Sequence, residues 1–331
     1  MNADSYYRPI PSETGRWTLA GGWVRFSEFE HLRRGEAPEV VDRAPDDWLE
    51  RLTAPRGPIL GLSMDQPQVM AIVNTTPDSF SDGGYFFDSA AAIEQARALV
   101  AGGAAILDVG GESTRPGAQE VSVMDEIARI RPVITALAGR VAISADTRKA
   151  RVAEAAVAAG AGMVNDVSGL DFDPDMGAFV AASGADLCIM HAQGLPETMQ
   201  RDPTYGDVLL DVYDALAARI DRAITAGVSR DKIVIDPGIG FGKTLAHNMT
   251  ILRRISLYHG LGVPVLLGVS RKRFIGTISG IDDPQKRGPG TLALTLAAVA
   301  QGIQIHRVHD AAEITQGLRL WSALDMRDYT A

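Results

Sequence analysis

The sequence predicts an α/β protein of the (β/α)8 class, a TIM barrel of eight parallel strands, with a short appended segment at its N-terminus. Three observations carry this. From Val69 onward short apolar runs alternate with alanine-rich helical stretches, the alternation repeats eight times, and the repeats average about 34 residues, near the ~30 of one strand–helix unit and totalling about 260. In order, the runs are VMAIV at 69–73, AILDV at 105–109, VAIS at 141–144, GMVN at 162–165, DLCIM at 186–190, IVI at 233–235, PVLLG at 264–268 and IQI at 303–305. The helical stretches lie near 90–100, 124–137, 149–159, 175–182, 205–226, 245–258, 291–300 and 311–323. The runs are short and near-continuously apolar, as strands buried on both faces are. An open doubly wound sheet shares this periodicity and is the alternative; the count of eight favours closure.

Residues 1–68 read differently from 69–331. They hold Trp17, Trp23 and Trp48, three of the four tryptophans, with Tyr6, Tyr7, Phe26 and Phe29, interrupted by prolines and charges. RWTLAGGWVRF alternates around Gly21-Gly22 and suggests a hairpin with a two-residue turn; DDWLERL suggests an acid-capped helical turn. The segment is too small for a large core of its own, so its aromatics are expected against the barrel or a partner chain.

Composition narrows the function classes. With 46% hydrophobic and 22% charged residues in 331, the chain is a folded globular protein. A net charge of −9 disfavours nucleic acid or an anionic membrane as a partner over most of the surface. Cys188 is the single cysteine, which excludes an intramolecular disulfide and a multi-cysteine zinc site. The N-terminus shows no secretory pattern and no apolar run approaches a membrane span, so the cytoplasm is expected.

In a barrel of this class the reacting groups stand where strands finish. Those positions carry Asn74, Asp108 with the GGESTRPG loop, Asp146, Asn165-Asp166, His191, Asp236, Ser270-Arg271-Lys272, and Arg307 with His309. Any one of them could simply cap the following helix, but together they form two chemical sets. Asp146, Asn165, Asp236 and Lys272 combine two carboxylate acceptors, an amide and a cationic donor, suited to a guanine-like or pterin-like ring. Arg115, Arg307 and His309, with Asn74 and the Thr114 hydroxyl, offer what an anionic phosphoryl group needs, including possible metal coordination. A heterocycle carrying phosphate is the inferred ligand. PGIGFGKT is not a Walker loop, because Pro237 stands where the first glycine belongs, and Gly238-Ile239-Gly240-Phe241-Gly242 is not GxGxxG. No HExxH and no GxSxG occurs, and His31, His247, His259 and His306 read as solvated or packing residues.

MAIVNTTPDSFSDGG, LDVGGESTRPGA, SADTRKARVAEAAVAAGAGMVNDVSGL, IMHAQGLPETMQ, IDPGIGFGKT, GVSRKRFIG and RVHD follow one another along 69–325. In that order they closely resemble the dihydropteroate synthase family, the folate-pathway enzymes that sulfonamides target. The resemblance implies the same barrel and the condensation of 6-hydroxymethyl-7,8-dihydropterin diphosphate with p-aminobenzoate, giving 7,8-dihydropteroate and diphosphate. By motif it implies that Asp146, Asn165, Asp236 and Lys272 hold the pterin, with Met190, Phe241 and Gly268 beside the ring. Asn74 would help bind Mg2+ on the diphosphate, contacted also by Thr114, Arg307 and His309, and Val308 would be a further substrate-binding residue. Arg115 and the loops 75–88 and 110–119 would close the site, with Phe80, Pro116 and Ser270 as walls of the p-aminobenzoate pocket. Asp146, Lys272, Arg307, His309 and Arg115 would be the catalytic set.

The chain departs from the family where MHM reads MHA, with Ala192. A pterin-binding methyltransferase would use the Asp/Asn/Asp set without a diphosphate site, and a non-catalytic relative would keep only the pocket; STRPG, SRK and RVHD together argue against both. TLALTLAAVAQ, at 291–301, is apolar on nearly every face, which with the family's habit of pairing through this side implies a homodimer.

Overall fold

The computed structural model describes residues 5–75, 89–113, 120–194, 199 and 202–325. Near the N-terminus, β1 (Tyr6–Ser12) pairs antiparallel with β3 (Arg25–Leu32), which pairs on its other side with β2 (Trp17–Thr18) and β4 (Glu39–Val41). The expected two-residue turn is not formed. β2 stops after Thr18, and residues 19–24 make a longer connection containing a 3-10 turn, closed by the Leu19 N–H to Val24 carbonyl bond of 2.8 Å. The reason is packing: Leu19 and Val24 are buried, and Trp23 donates from Nε1 to the Val299 carbonyl at 2.8 Å. These side chains seat on the barrel instead of prolonging the ladder.

Helix α1 (Asp46–Thr53) opens with Asp46 and Asp47, which favour its positive end, and buries Trp48 and Leu52, one turn apart. Trp48 stacks on Tyr213 at 5.6 Å, while the Tyr6 hydroxyl donates to Asp214 at 2.8 Å. Phe26, Phe29 and Leu52 join Tyr213, Tyr258 and Leu216 in one continuous core. The chain then crosses the closed end of the barrel, where Ile59 and Met64 plug its floor.

Eight parallel strands follow: β5 (Gln68–Asn74), β6 (Ile106–Gly110), β7 (Ala142–Asp146), β8 (Met163–Asp166), β9 (Asp186–Met190), β10 (Ile233–Asp236), β11 (Leu266–Leu267) and β12 (Ile305–Val308). Their spatial order is β10-β9-β8-β7-β6-β5-β12-β11, and the Ile235–Val265 bridge joins the two ends. The sheet is the predicted barrel. Alternation sends odd and even positions to opposite faces. Met70, Ile106, Met163, Cys188, Val234, Leu266 and Ile305 fill the interior, while Val73, Leu107, Val109, Ile143 and Val308 pack outward against helices. Two residues farther along each interior row stand Ile72, Asp108, Asn165, Met190, Asp236, Gly268 and Arg307, so the lining turns polar towards the open mouth.

The helices are α2 (Ser89–Ala101), α3 (Val123–Leu137), α4 (Ala150–Ala159), α5 (Met176–Ser183), α6 (Val208–Thr225), α7 (Leu245–Arg253), α8 (Arg273–Ser279), α9 (Gly288–Val299) and α10 (Ala311–Asp325). Two differ from expectation. α7 stops at Arg253 and continues as 3-10 turns over Ile255–Leu261, residues buried beneath the N-terminal segment. α8 has no counterpart in the sequence reading: with seven residues, an internal Gly276 and a left-handed Gly280 end, it lacks the length that makes periodicity visible. Among the described residues no helix is long and apolar enough to cross a membrane.

Since its ring sits in the same core as α6, Trp48→Ala should lower the stability of the whole chain by about 3–5 kcal/mol. In denaturant, barrel and segment should unfold in one transition at a lower midpoint; two separate transitions would show that the segment is not integral to the fold.

Candidate functional site

The mouth is organised by one guanidinium. Arg307, on the interior face of β12, donates from Nε to Asp108 Oδ2 at 2.5 Å and from Nη2 to Asp146 Oδ2 at 2.7 Å. Asp108 Oδ2 also accepts from Asn165 Nδ2 at 3.1 Å, so β12, β6, β7 and β8 are tied together inside the barrel. Asp108 and Asn165 are almost completely buried, and Oδ1 of both Asp108 and Asp146 lies buried with no hydrogen-bond partner among the described residues. Such acceptors are costly to leave unpaired, which suits a ligand that brings N–H donors.

Opposite them, Asp236 Oδ1 accepts the Gly238 N–H at 2.7 Å. Gly268 keeps the space beside it open: a methyl group there would stand 3.7 Å from Asp236 Oδ2 and 4.0 Å from both Lys272 Nζ and Arg307 Cβ. Lys272 Nζ bonds to the Ile239 carbonyl and lies 4.6 Å from the centre of the Phe241 ring. Met190 is buried on the same interior face. Asn74 ends β5 on that face too, two positions beyond Ile72 and opposite Gly110 in register.

The loop 238–243 turns on left-handed Gly238, Gly240 and Gly242; at Gly238 a side chain would fall 1.8 Å from the His191 carbonyl. Its lysine is not offered to a phosphate. Lys243 Nζ is buried against the Gly238 carbonyl (2.9 Å), the Phe241 carbonyl (3.1 Å) and His191 Nδ1 (2.9 Å), and holds the loop from inside. Burial, then the Lys243 charge, push the His191 imidazole down to about 2, so it accepts that bond as the neutral ring.

Two further strand-end groups serve structure. Asp166 faces outward and caps its own loop, accepting from Ser168 N–H and Leu170 N–H, both at 2.8 Å. Val308, expected to bind substrate, turns its side chain outward into the sheet–helix layer, because it alternates with inward-facing Arg307. At the rim, His309 Nδ1 and Ser270 Oγ are paired at 2.9 Å. Phe80, Thr114, Arg115 and Pro116 lie outside the described residues, as do most of the loops 75–88 and 110–119 that carry them. Asp108 stands among the strand-end groups in the sequence but belongs to neither of the two predicted sets; its place at the β6 end is the signal that it is central.

Burial dominates the electrostatics. It raises the Asp146 carboxyl to about 7; Arg307 opposes the rise, while Asp108, Glu126 and Asp166 add to it. Asp236 is also raised by burial, against Lys272 and the Gly238 N–H. Burial brings the Lys272 ammonium down to about 8, with Asp236 holding it up and Arg307 pressing it down. For Arg307 burial works against the charge, yet Asp108 and Asp146 outweigh it and strengthen the guanidinium's hold on its proton. The mouth thus presents buried acceptors from β6, β7 and β10 around two cations.

Residues 70–309 match the pterin-binding enzyme family. The dihydropteroate synthase of Synechocystis sp. is 46% identical over 258 residues, covering 77% of this chain and 89% of the relative. This chain belongs to the dihydropteroate synthase family. The Escherichia coli dihydropteroate synthase is 43% identical over 264 residues, covering 79% of this chain and 93% of its own. Among solved structures, the Xanthomonas albilineans dihydropteroate synthase with 4-aminobenzoic acid superposes with a TM-score of 0.77 at 43% identity, covering 83% of this chain and 99% of that one. A structure of the dihydropteroate synthase from the same organism, in complex with 7,8-dihydropteroate, gives a TM-score of 0.75 at 40% identity, covering 83% and 100%.

The shift at Asp146 has a definite sign. A carboxyl whose pKa is higher folded than unfolded holds a proton in the folded state that the unfolded chain has released, so it costs stability as pH rises from about 4 to about 7. Asp146→Asn should flatten that part of the stability–pH curve, and Arg307→Ala should move the Asp146 titration upward. Carboxyl-resolved NMR titration and denaturation at several pH values read the two effects; an Asp146 titrating near 4 would contradict them.

Proposed function

We propose that the mouth binds a pterin diphosphate with its ring in the acidic clasp and its tail towards the rim, and joins it to p-aminobenzoate. The observation that carries this reading is Arg307, which touches Asp108 and Asp146 within the clasp and stands two residues before His309, itself paired with Ser270 at the rim. Asp146 Oδ1 and Asp236 accept from ring N–H groups. Asn165 and Lys272 fix the ring's remaining polar edge, and Met190 and Phe241 pack beside it.

The arylamine is neutral at working pH and already has a nucleophilic lone pair, so no general base is required. The barrier lies in loss of diphosphate. Arg307 and His309 donate to its oxygens as charge develops there, with Thr114 and Arg115 assigned to the same group. Asp146, in its ionised form, offsets positive charge spreading into the pterin as the C–O bond loosens. Nitrogen then bonds to the methylene carbon and its proton leaves to solvent, giving 7,8-dihydropteroate. The loops 75–88 and 110–119, with Phe80 and Pro116, and Ser270 at the rim, would line the p-aminobenzoate pocket and exclude water.

Magnesium fits as a companion of the substrate. Asn74 contributes one hard amide oxygen on the interior face, and among the described residues no group of three or more His, Cys, Asp and Glu is placed to hold a metal ion. That donor set suits an ion taking most of its ligands from diphosphate oxygens and water. When bound, it would neutralise charge on the leaving diphosphate.

Arg307→Ala should lower turnover about 100- to 1,000-fold in a diphosphate-release assay while keeping measurable pterin binding, because its donation grows as the leaving group takes charge. Withholding magnesium should slow wild-type release in the same assay. Unchanged turnover in the variant would remove Arg307 from the reaction.

We also propose that the chain pairs with a second copy through the face around α9, where Ile278, Leu320 and Leu324 expose large apolar side chains. Light scattering should give twice the 35.3 kDa of one chain; a monomer would exclude the pairing.

A further inference from the structure

The two cationic grips of the mouth arise from parts of the barrel that the sheet joins poorly. β11, the strand before Lys272, has only two residues, paired to β12 at Leu266–Ile305 and Leu267–His306. A single bridge, Ile235–Val265, holds its other side. Lys272 lies five residues beyond the end of that strand, too far for the ladder to fix it.

The corner is instead set by Arg271. Its backbone is left-handed, with φ of 58°, a conformation costly for a residue with a side chain. Its N–H donates to Thr291 Oγ1 at 3.1 Å, and its carbonyl accepts from Arg287 Nη1 at 3.0 Å. Its guanidinium meets Asp310 in a two-pronged pair, Nε to Oδ2 at 3.0 Å and Nη2 to Oδ1. Asp310 follows His309 directly and stands three residues after Arg307. A planar fork on a carboxylate fixes orientation as well as distance, unlike a single flexible contact.

We propose that the Arg271–Asp310 pair is a positioning clamp that holds Lys272 in register with Arg307 and His309, so that the ring grip and the diphosphate grip act on one ligand together. Neither residue touches the reacting atoms; the pair acts through its neighbours. The inference rests on the pterin-diphosphate reading of the mouth and adds to it a geometric requirement outside the clasp.

The test uses the full chain and a double-mutant cycle. Asp310 occupies the position before α10, where its carbonyl accepts the Ile314 N–H at 3.1 Å. Asp310→Ser keeps a side-chain oxygen for that helix end but cannot reach Arg271. Asp310→Ser and Arg271→Ala should each lower kcat for diphosphate release about 10- to 100-fold. The affinity for a pterin lacking the diphosphate, measured by calorimetry, should change less than about threefold. The double variant should lose no more than the worse single one. A kcat for Asp310→Ser near wild type, losses that multiply in the double variant, or an equal fall in pterin affinity and kcat would each overturn the clamp. Failure of the underlying reading looks different: wild type would then release no diphosphate from the two substrates. The clamp would still be read from the preference for pterin diphosphate over pterin, which should fall about tenfold in both variants; an unchanged preference would overturn it.

Discussion

A buried guanidinium shared by two carboxylates is the constraint on which the mouth depends. Without Arg307, Asp108 and Asp146 would be two acids close together in a water-poor interior, where charge on one disfavours charge on the other. With it, Asp146 remains an acid perched near neutrality and Asp108 is tied to both Arg307 and Asn165. Removing one member of such a group leaves an uncompensated charge, so these residues work as a unit. The same guanidinium ties β12 to β6 and β7, so the geometry of three strand ends at the mouth depends on one side chain.

This arrangement was legible in the sequence to the extent that it follows strand alternation. The eight runs put Asp146, Asn165, Asp236 and Arg307 at strand ends, and the structure adds that alternation turns all four inward, into one mouth. Alternation also turns some strand-end side chains away from the mouth. Val308 belongs to the motif RVHD, but a motif read as a string takes no account of which side of the strand each letter faces. Asp166 and His191 stand at strand ends too, yet one caps its own loop and the other accepts from Lys243. Their polarity is visible in the sequence; their partners are not, since the Asp166 contacts to Ser168 and Leu170 depend on how its loop turns and Lys243 stands 52 residues from His191.

The remaining differences concern elements whose shape is imposed from outside. The two-glycine turn near Gly21 gave way to a longer bend because Trp23 reaches Val299, 276 residues away. α7 ends early and its continuation tightens into 3-10 turns where β1 and α1 press on residues 255–261; at Gly260 even a methyl group would meet the Trp48 ring at 2.3 Å. Local propensity cannot register such contacts, and tertiary packing overrode it.

A second network supports the mouth from behind. Lys149, just past β7, is buried among Glu112 (2.5 Å), Glu126 (2.8 Å) and the Val121 carbonyl (2.6 Å). Arg148 adds a bond to the other oxygen of Glu112 at 2.8 Å. Burial acts first on both buried partners, penalising the charge of each; the carboxylates nevertheless raise the Lys149 pKa, whereas for Glu126 burial prevails and its pKa is raised. Because Glu112 and Val121 flank the segment that carries Thr114 and Arg115, the chain spends its buried charges at the two stems of that segment as well as in the clasp. Both sets of charges issue from the residues around the end of β7. Asp146 meets Arg307 inside the mouth and Lys149 meets Glu112 and the Val121 carbonyl at the loop stems, so an adjustment of that one strand end reaches the mouth and the loop stems together.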